Sequence, residues 1–126
     1  MNFEFSDDQL VMKEEVRKLF EKEDSVKRNR NILEGEENFD KDLWNKVVEM
    51  GLTAITIPEE HGGIGLGFLE LCVVAEEMGR AIAPIPYSSS VYLATTAIIN
   101  SSNDDVKKRI PTKTCRGRDD WNICTL

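Results

Sequence analysis

The stretch "FLELCVVAEEMGRAI", Phe68 to Ile82, constrains the fold most, because written as a helix it is apolar nearly all round. Phe68, Leu71, Cys72, Ala75 and Met78 share one face at spacings of three and four, while Leu69, Val73 and Val74 fall elsewhere. Such a helix is normally central and buried on several sides, so the remaining segments are expected to pack around it. Cys72 then reads as a packed core residue. Glu76 and Arg80, four apart, are expected to pair on an exposed strip.

The segments on either side are also helical in pattern. Ser6-Asp7-Asp8-Gln9 matches a capping box, with Phe5 placed as the staple residue. The helix that follows sets Met12, Val16, Leu19, Phe20 and Val26 on one face, and it fades into a polar loop over residues 27–38. A second helix opens at Asp40 with Leu43, Trp44, Val47 and Val48 inward, and Gly51 suits the left-handed position that ends it. "LTAITIPEEHGGIGLG" then begins as a strand-like run that fits an extended connector equally well. After the apolar helix, "APIPY" breaks the chain, and Ser88 to Ser90 cap a fourth helix carrying Val91, Leu93, Ala94, Ala97 and Ile98. A short fifth helix from Asn103 has acids in its first turn and bases in its last, which complements the macrodipole. The expected fold class is all-α, a bundle-like arrangement of helices.

Composition removes several classes of function. The formal net charge is −7, which argues against a nucleic-acid partner, because phosphates need a positive surface. Three cysteines without paired spacing form neither a disulfide framework nor a zinc site. "MNFEFSDDQL" has neither the basic start nor the apolar run of a signal peptide, and no stretch approaches the ~20 apolar residues of a membrane span. The expected location is the cytoplasm, where thiols stay reduced.

Candidate chemistry is sparse. "GGIGLG", Gly62 to Gly67, lies between an apolar run and a helix, but its glycines do not fall at the n, n+2 and n+5 positions of a dinucleotide fingerprint. It reads instead as a tight loop where backbones approach closely. His61 stands alone beside Glu59 and Glu60, so no metal site is expected. The two glutamates, adjacent in a turn, point apart and read as solvated carboxylates. "PYSSS" has hydroxyls but no base nearby, and no catalytic residue is assigned anywhere in the chain.

Taken together the motifs say more. "FSDDQ", "VRKLFEKE" and above all the run from Met50-Gly51-Leu52 through Pro58-Glu59-Glu60-His61-Gly62-Gly63 to Glu76-Glu77-Met78-Gly79-Arg80 resemble the N-terminal helical domain of the acyl-CoA dehydrogenase family, over about residues 3–110. The resemblance implies an FAD flavoprotein of three domains, in which a glutamate of the C-terminal domain removes the α-proton of an acyl-CoA. The β-hydrogen leaves as hydride to flavin N5, giving a trans-2-enoyl-CoA, and electron-transfer flavoprotein reoxidises the cofactor, which carries the redox chemistry. It further implies a dimeric or tetrameric assembly, of like or unlike subunits, and no membrane span. The catalytic base and almost all of the FAD site belong to segments this chain lacks, so no cofactor-binding residue is assigned and the chain alone is expected to be inactive and flavin-free. What the resemblance places here is a wall of the acyl pocket at the start of the fourth helix: Ile85, Pro86, Ser89 and Leu93. Packing of that helix start only within its own domain is the competing reading for each of the four.

The family continues after its fifth helix with a segment like L-P-K-L-A-x-G-E-x-I-G-T-F-A, whereas this chain ends "IPTKTCRGRDDWNICTL". One permitted set of codons for Pro111 through Thr125, regrouped one base later, reads L-P-K-L-A-E-G-E-M-I-G-T-F-A. Part of that agreement is forced: Trp121 is TGG and Asn122 begins with A, so the regrouped codon is GGA, glycine. Residues 1–110 are therefore expected to be the helical domain, and 111–126 a disordered, out-of-frame tail in which Cys115, Trp121 and Cys124 carry no role. The alternatives are a genuine extension, a stand-alone helical interaction module without catalysis, or the same domain from a related flavin oxidase or monooxygenase.

Overall fold

The computed structural model describes residues 4–103 together with Asp105 and Lys107. The expected tail, 111–126, and most of the predicted fifth helix lie outside the described residues. Asp105 and Lys107 are helical, with the Asp105 amide donating to Asn103 Oδ1 at 3.0 Å. The described residues contain no strand, and the fold class is all-α as expected.

The elements are α1 (Asp7–Lys22), α2 (Ser25–Glu34), α3 (Lys41–Glu49), α4 (Phe68–Ala81) and a π-helical segment (Ser88–Thr95) running directly into α5 (Thr96–Ile99). Two 3-10 turns, Leu52–Ala54 and Glu59–His61, lie between α3 and α4. The chain forms two compact units: α1, α2 and α4 in the first, and α3, the glycine-rich loop, the π-helical segment and α5 in the second.

In the first unit α1 packs on α4. The capping box forms as expected: Gln9 N donates to Ser6 Oγ at 3.2 Å and Ser6 N donates to Gln9 Oε1 at 3.0 Å. Val16 and Phe20 are buried and Met12 and Leu19 half-buried, but Val26 is 53% exposed. The expected single helix is in fact two. Asp24 takes a left-handed conformation (φ 46°) that breaks the register, and the predicted loop from 27 onward is helical up to Glu34. Polar staples hold α2 in place of an apolar stripe. Ser25 Oγ donates to the Phe20 carbonyl, and Arg28 bridges Glu23 (2.6 Å) and Asp40 (2.8 Å), whose own amide donates to the Pro84 carbonyl. Partners this distant leave no periodicity for a sequence reading to find.

On α4 the buried residues are Leu71, Val73, Val74, Glu77 and Met78. Phe68 (62% exposed), Leu69 and Cys72 face outward, so the expectation of a packed Cys72 is corrected. The expected Glu76–Arg80 pair is corrected too. Glu76 pairs with Lys13 at 2.8 Å, while Arg80 donates to Glu77 at 2.9 Å.

In the second unit Leu43, Trp44 and Val47 are buried on α3, and Gly51 is left-handed (φ 78°) just past its end, as expected. The run after Gly51 is neither strand nor extended connector. Leu52, Thr53, Ala54, Ile55 and Ile57 are buried within a loop that folds back on itself, because the amides of Ile64, Leu66 and Gly65 donate to the carbonyls of Ala54, Ile55 and Ile57. Gly63 is where the two arms come closest: a Cβ there would fall on the carbonyl and side chain of Ile57. The expected close backbone approach is present. Among the described residues no helix is long and apolar enough to cross a membrane.

Candidate functional site

The four residues expected to line an acyl pocket lie in the second unit, at and just before the π-helical segment. Ile85, Pro86 and Ser89 are half-buried, and Leu93 is 58% exposed. The structure brings Pro86 and Ser89 together: Ser89 Oγ donates to the Pro86 carbonyl at 3.1 Å, and the same carbonyl accepts from the Ser90 amide at 3.1 Å. Ser89 thus spends its one proton inside its own turn. Leu93 lies one turn further on. No charged residue occurs anywhere from Ala81 to Asn103, so the whole stretch around these four residues is neutral.

What holds this segment was not legible as a site. Tyr87 stands between Pro86 and the serines, is buried, and donates its hydroxyl to the Leu52 carbonyl. Burial pushes its pKa well above the ordinary tyrosine value, with Tyr92 adding to the effect, so the phenol stays protonated and remains a donor. The Tyr92 ring meets Tyr87 edge-on, with centroids 5.2 Å apart and planes at 80°. Thr95 Oγ1 donates to the Ser90 carbonyl, five residues back, at 2.8 Å. The Tyr87–Tyr92 and Ser90–Thr95 pairs share a five-residue spacing, which matches the wider π turn and is the sequence signal that could have found it.

The glycine-rich loop offers no anion cradle. Every amide from Gly62 to Leu66 already donates within the loop, to the carbonyls of Glu59, Pro58, Ala54, Ile57 and Ile55. A pyrophosphate needs such amides free, so these residues do not fit the phosphates of a flavin dinucleotide. Glu59 and Glu60 are exposed, and His61 Nε2 lies 3.6 Å from Glu60 Oε1. No group of three His, Cys, Asp or Glu among the described residues could hold a metal ion.

The first unit carries one feature the sequence reading missed. Glu77 is fully buried, accepts from Arg17 Nε (3.0 Å) and Nη2 (2.7 Å), and accepts from Arg80 Nε (2.9 Å). The Arg17 hydrogen bond, aided by Arg80 and opposed by burial, holds its carboxyl at a pKa of about 2. The two guanidiniums satisfy the carboxylate without leaving a proton to exchange near neutral pH, which makes the cluster structural rather than acid–base machinery.

Comparison with known proteins gives a consistent set of matches. The family model described as "Acyl-CoA dehydrogenase, N-terminal domain" matches residues 6–118. The mitochondrial isovaleryl-CoA dehydrogenase of Arabidopsis thaliana is 38% identical over 86 residues, 67% of this chain and 20% of that protein. Among solved structures, the ChsE4–ChsE5 complex from Mycobacterium tuberculosis superposes with a TM-score of 0.83 at 25% identity, covering 94% of this chain and 32% of the other. The Tcur3481–Tcur3483 steroid ACAD does so with a TM-score of 0.78 at 28% identity, covering 87% and 30%. This chain spans about a fifth to a third of the length of the proteins it matches.

Proposed function

This chain belongs to the acyl-CoA dehydrogenase family through its N-terminal domain, and we propose that it supplies one wall of the acyl pocket to a flavoenzyme that oxidises an acyl-CoA to a trans-2-enoyl-CoA. The observation that carries this reading is the neutral stretch around Ile85, Pro86, Ser89 and Leu93, three of them aliphatic, with Ser89 spending its proton on Pro86. Such a surface takes the apolar body of an acyl group, and burying Leu93 under it is favourable by the usual apolar-area argument. The residues of this chain would orient the acyl group and exclude water from it. When bound, FAD supplies the redox chemistry of the family. The glycine loop spends its amides internally, so no step of that chemistry is assigned to this chain.

On this reading the catalytic glutamate, the flavin site and the docking of electron-transfer flavoprotein come from sequence beyond the residues described, and the 126-residue chain is inactive by itself. Two of the structural relatives are named as pairs of polypeptides, ChsE4–ChsE5 and Tcur3481–Tcur3483. An assembly of like or unlike subunits is accordingly part of the proposal. The tail from 111 to 126 we read as the family's next segment one base out of frame.

The purified chain tests the reading directly. It should carry no visible flavin absorbance and no acyl-CoA oxidation, and it should self-associate through exposed apolar residues such as Phe68, Leu69 and Leu93. Bound FAD would overturn the reading. A flavin-free monomer with a sharp thermal transition would favour the stand-alone interaction module instead. The DNA around codon 111 settles the tail: a β-domain encoded one base out of frame just downstream is expected, and its absence refutes the shift.

A further inference from the structure

We draw no further inference here: the strongest candidate, the groove at the α1–α2 elbow lined by Phe20, Val26 and Ala81 and rimmed by Glu21 and Asp24, is an apolar face for which nothing in the structure shows what covers it.

Discussion

Replacing Glu77 by Gln should cost the first unit most of what its buried carboxylate contributes, and only above a defined pH. The substitution keeps the volume of the side chain and removes its charge, so three charge-assisted hydrogen bonds from Arg17 and Arg80 weaken together. Folding lowers the Glu77 pKa from 4.5 to about 2. A depression of this size corresponds to about 3 kcal/mol at 1.36 kcal/mol per unit. Arg17 and Arg80 are themselves nearly half exposed and regain water once released. The cost is therefore set at about 2–3 kcal/mol, below the ~3–5 kcal/mol typical of breaking a fully buried pair. For a chain of this size that is a fall in Tm of roughly 10 °C.

The pH dependence follows from the sign of the shift. Between pH 2 and 4.5 the unfolded chain holds a proton at Glu77 that the folded chain does not, so stability falls as the pH drops through this window. Above about 4.5 both states are ionised and the contribution is complete. Thermal melts followed by circular dichroism, wild type against Glu77→Gln at pH 7, 5, 4, 3 and 2.5, should show a gap that is full at pH 7 and 5 and reduced to about a quarter at 2.5. Glu76→Gln is the control, since Glu76 pairs with Lys13 in solvent and such pairs are worth only about 0–1 kcal/mol. A Glu77→Gln protein that melts with wild type at pH 7, or a gap that persists undiminished at pH 2.5, would refute the reasoning.

Other substitutions separate backbone from side-chain effects. Ile82 holds φ 51° just past the end of α4 while 60% exposed, so Ile82→Gly should stabilise the chain by about 1 kcal/mol in urea unfolding, the strain relieved exceeding the burial lost. Gly63→Ala drives a Cβ onto Ile57 and should abolish a cooperative melt in the second unit. Gly62→Ala, left-handed but with open space around the added carbon, should cost only about 1–2 kcal/mol. Tyr87→Phe removes the hydroxyl that donates to the Leu52 carbonyl and should cost about 0.5–1.5 kcal/mol by chemical denaturation, whereas Tyr92→Phe, which keeps the edge-on ring, should leave that bond intact.

For the candidate site the sequence offered positions, and nothing of how the segment that carries them is built. Ile85, Pro86, Ser89 and Leu93 were placed by resemblance, and they sit in one neutral segment with Pro86 and Ser89 bonded. The pair that holds the segment, Tyr87 and Tyr92, was missed because its five-residue spacing belongs to neither a regular α-helix nor a strand. Expecting Cys72 inside and Val26 on the face of α1 went wrong for a related reason. Periodicity shows that an apolar face exists, but it cannot show how many faces of α4 this chain covers, nor that Asp24 resets the register.

What the sequence determined by itself is whatever acts within about four residues along the chain, or is carried by a motif. The Ser6–Gln9 box, the left-handed Gly51 at the end of α3, the close approach at Gly63 and the family's Pro-Glu-Glu-His-Gly-Gly run were all readable, because hydrogen-bond reach and steric exclusion at those positions are local. Tertiary structure alone decided that Glu77, and not Glu76, is buried between two arginines, one of them sixty residues away. It also made a helix of residues 25–34 out of bridges to Glu23 and Asp40, and tied Tyr87 to a carbonyl thirty-five residues earlier. A carboxylate, a guanidinium or a phenol takes the partner that packing brings within hydrogen-bond distance once water is excluded, and no spacing along the chain encodes that choice.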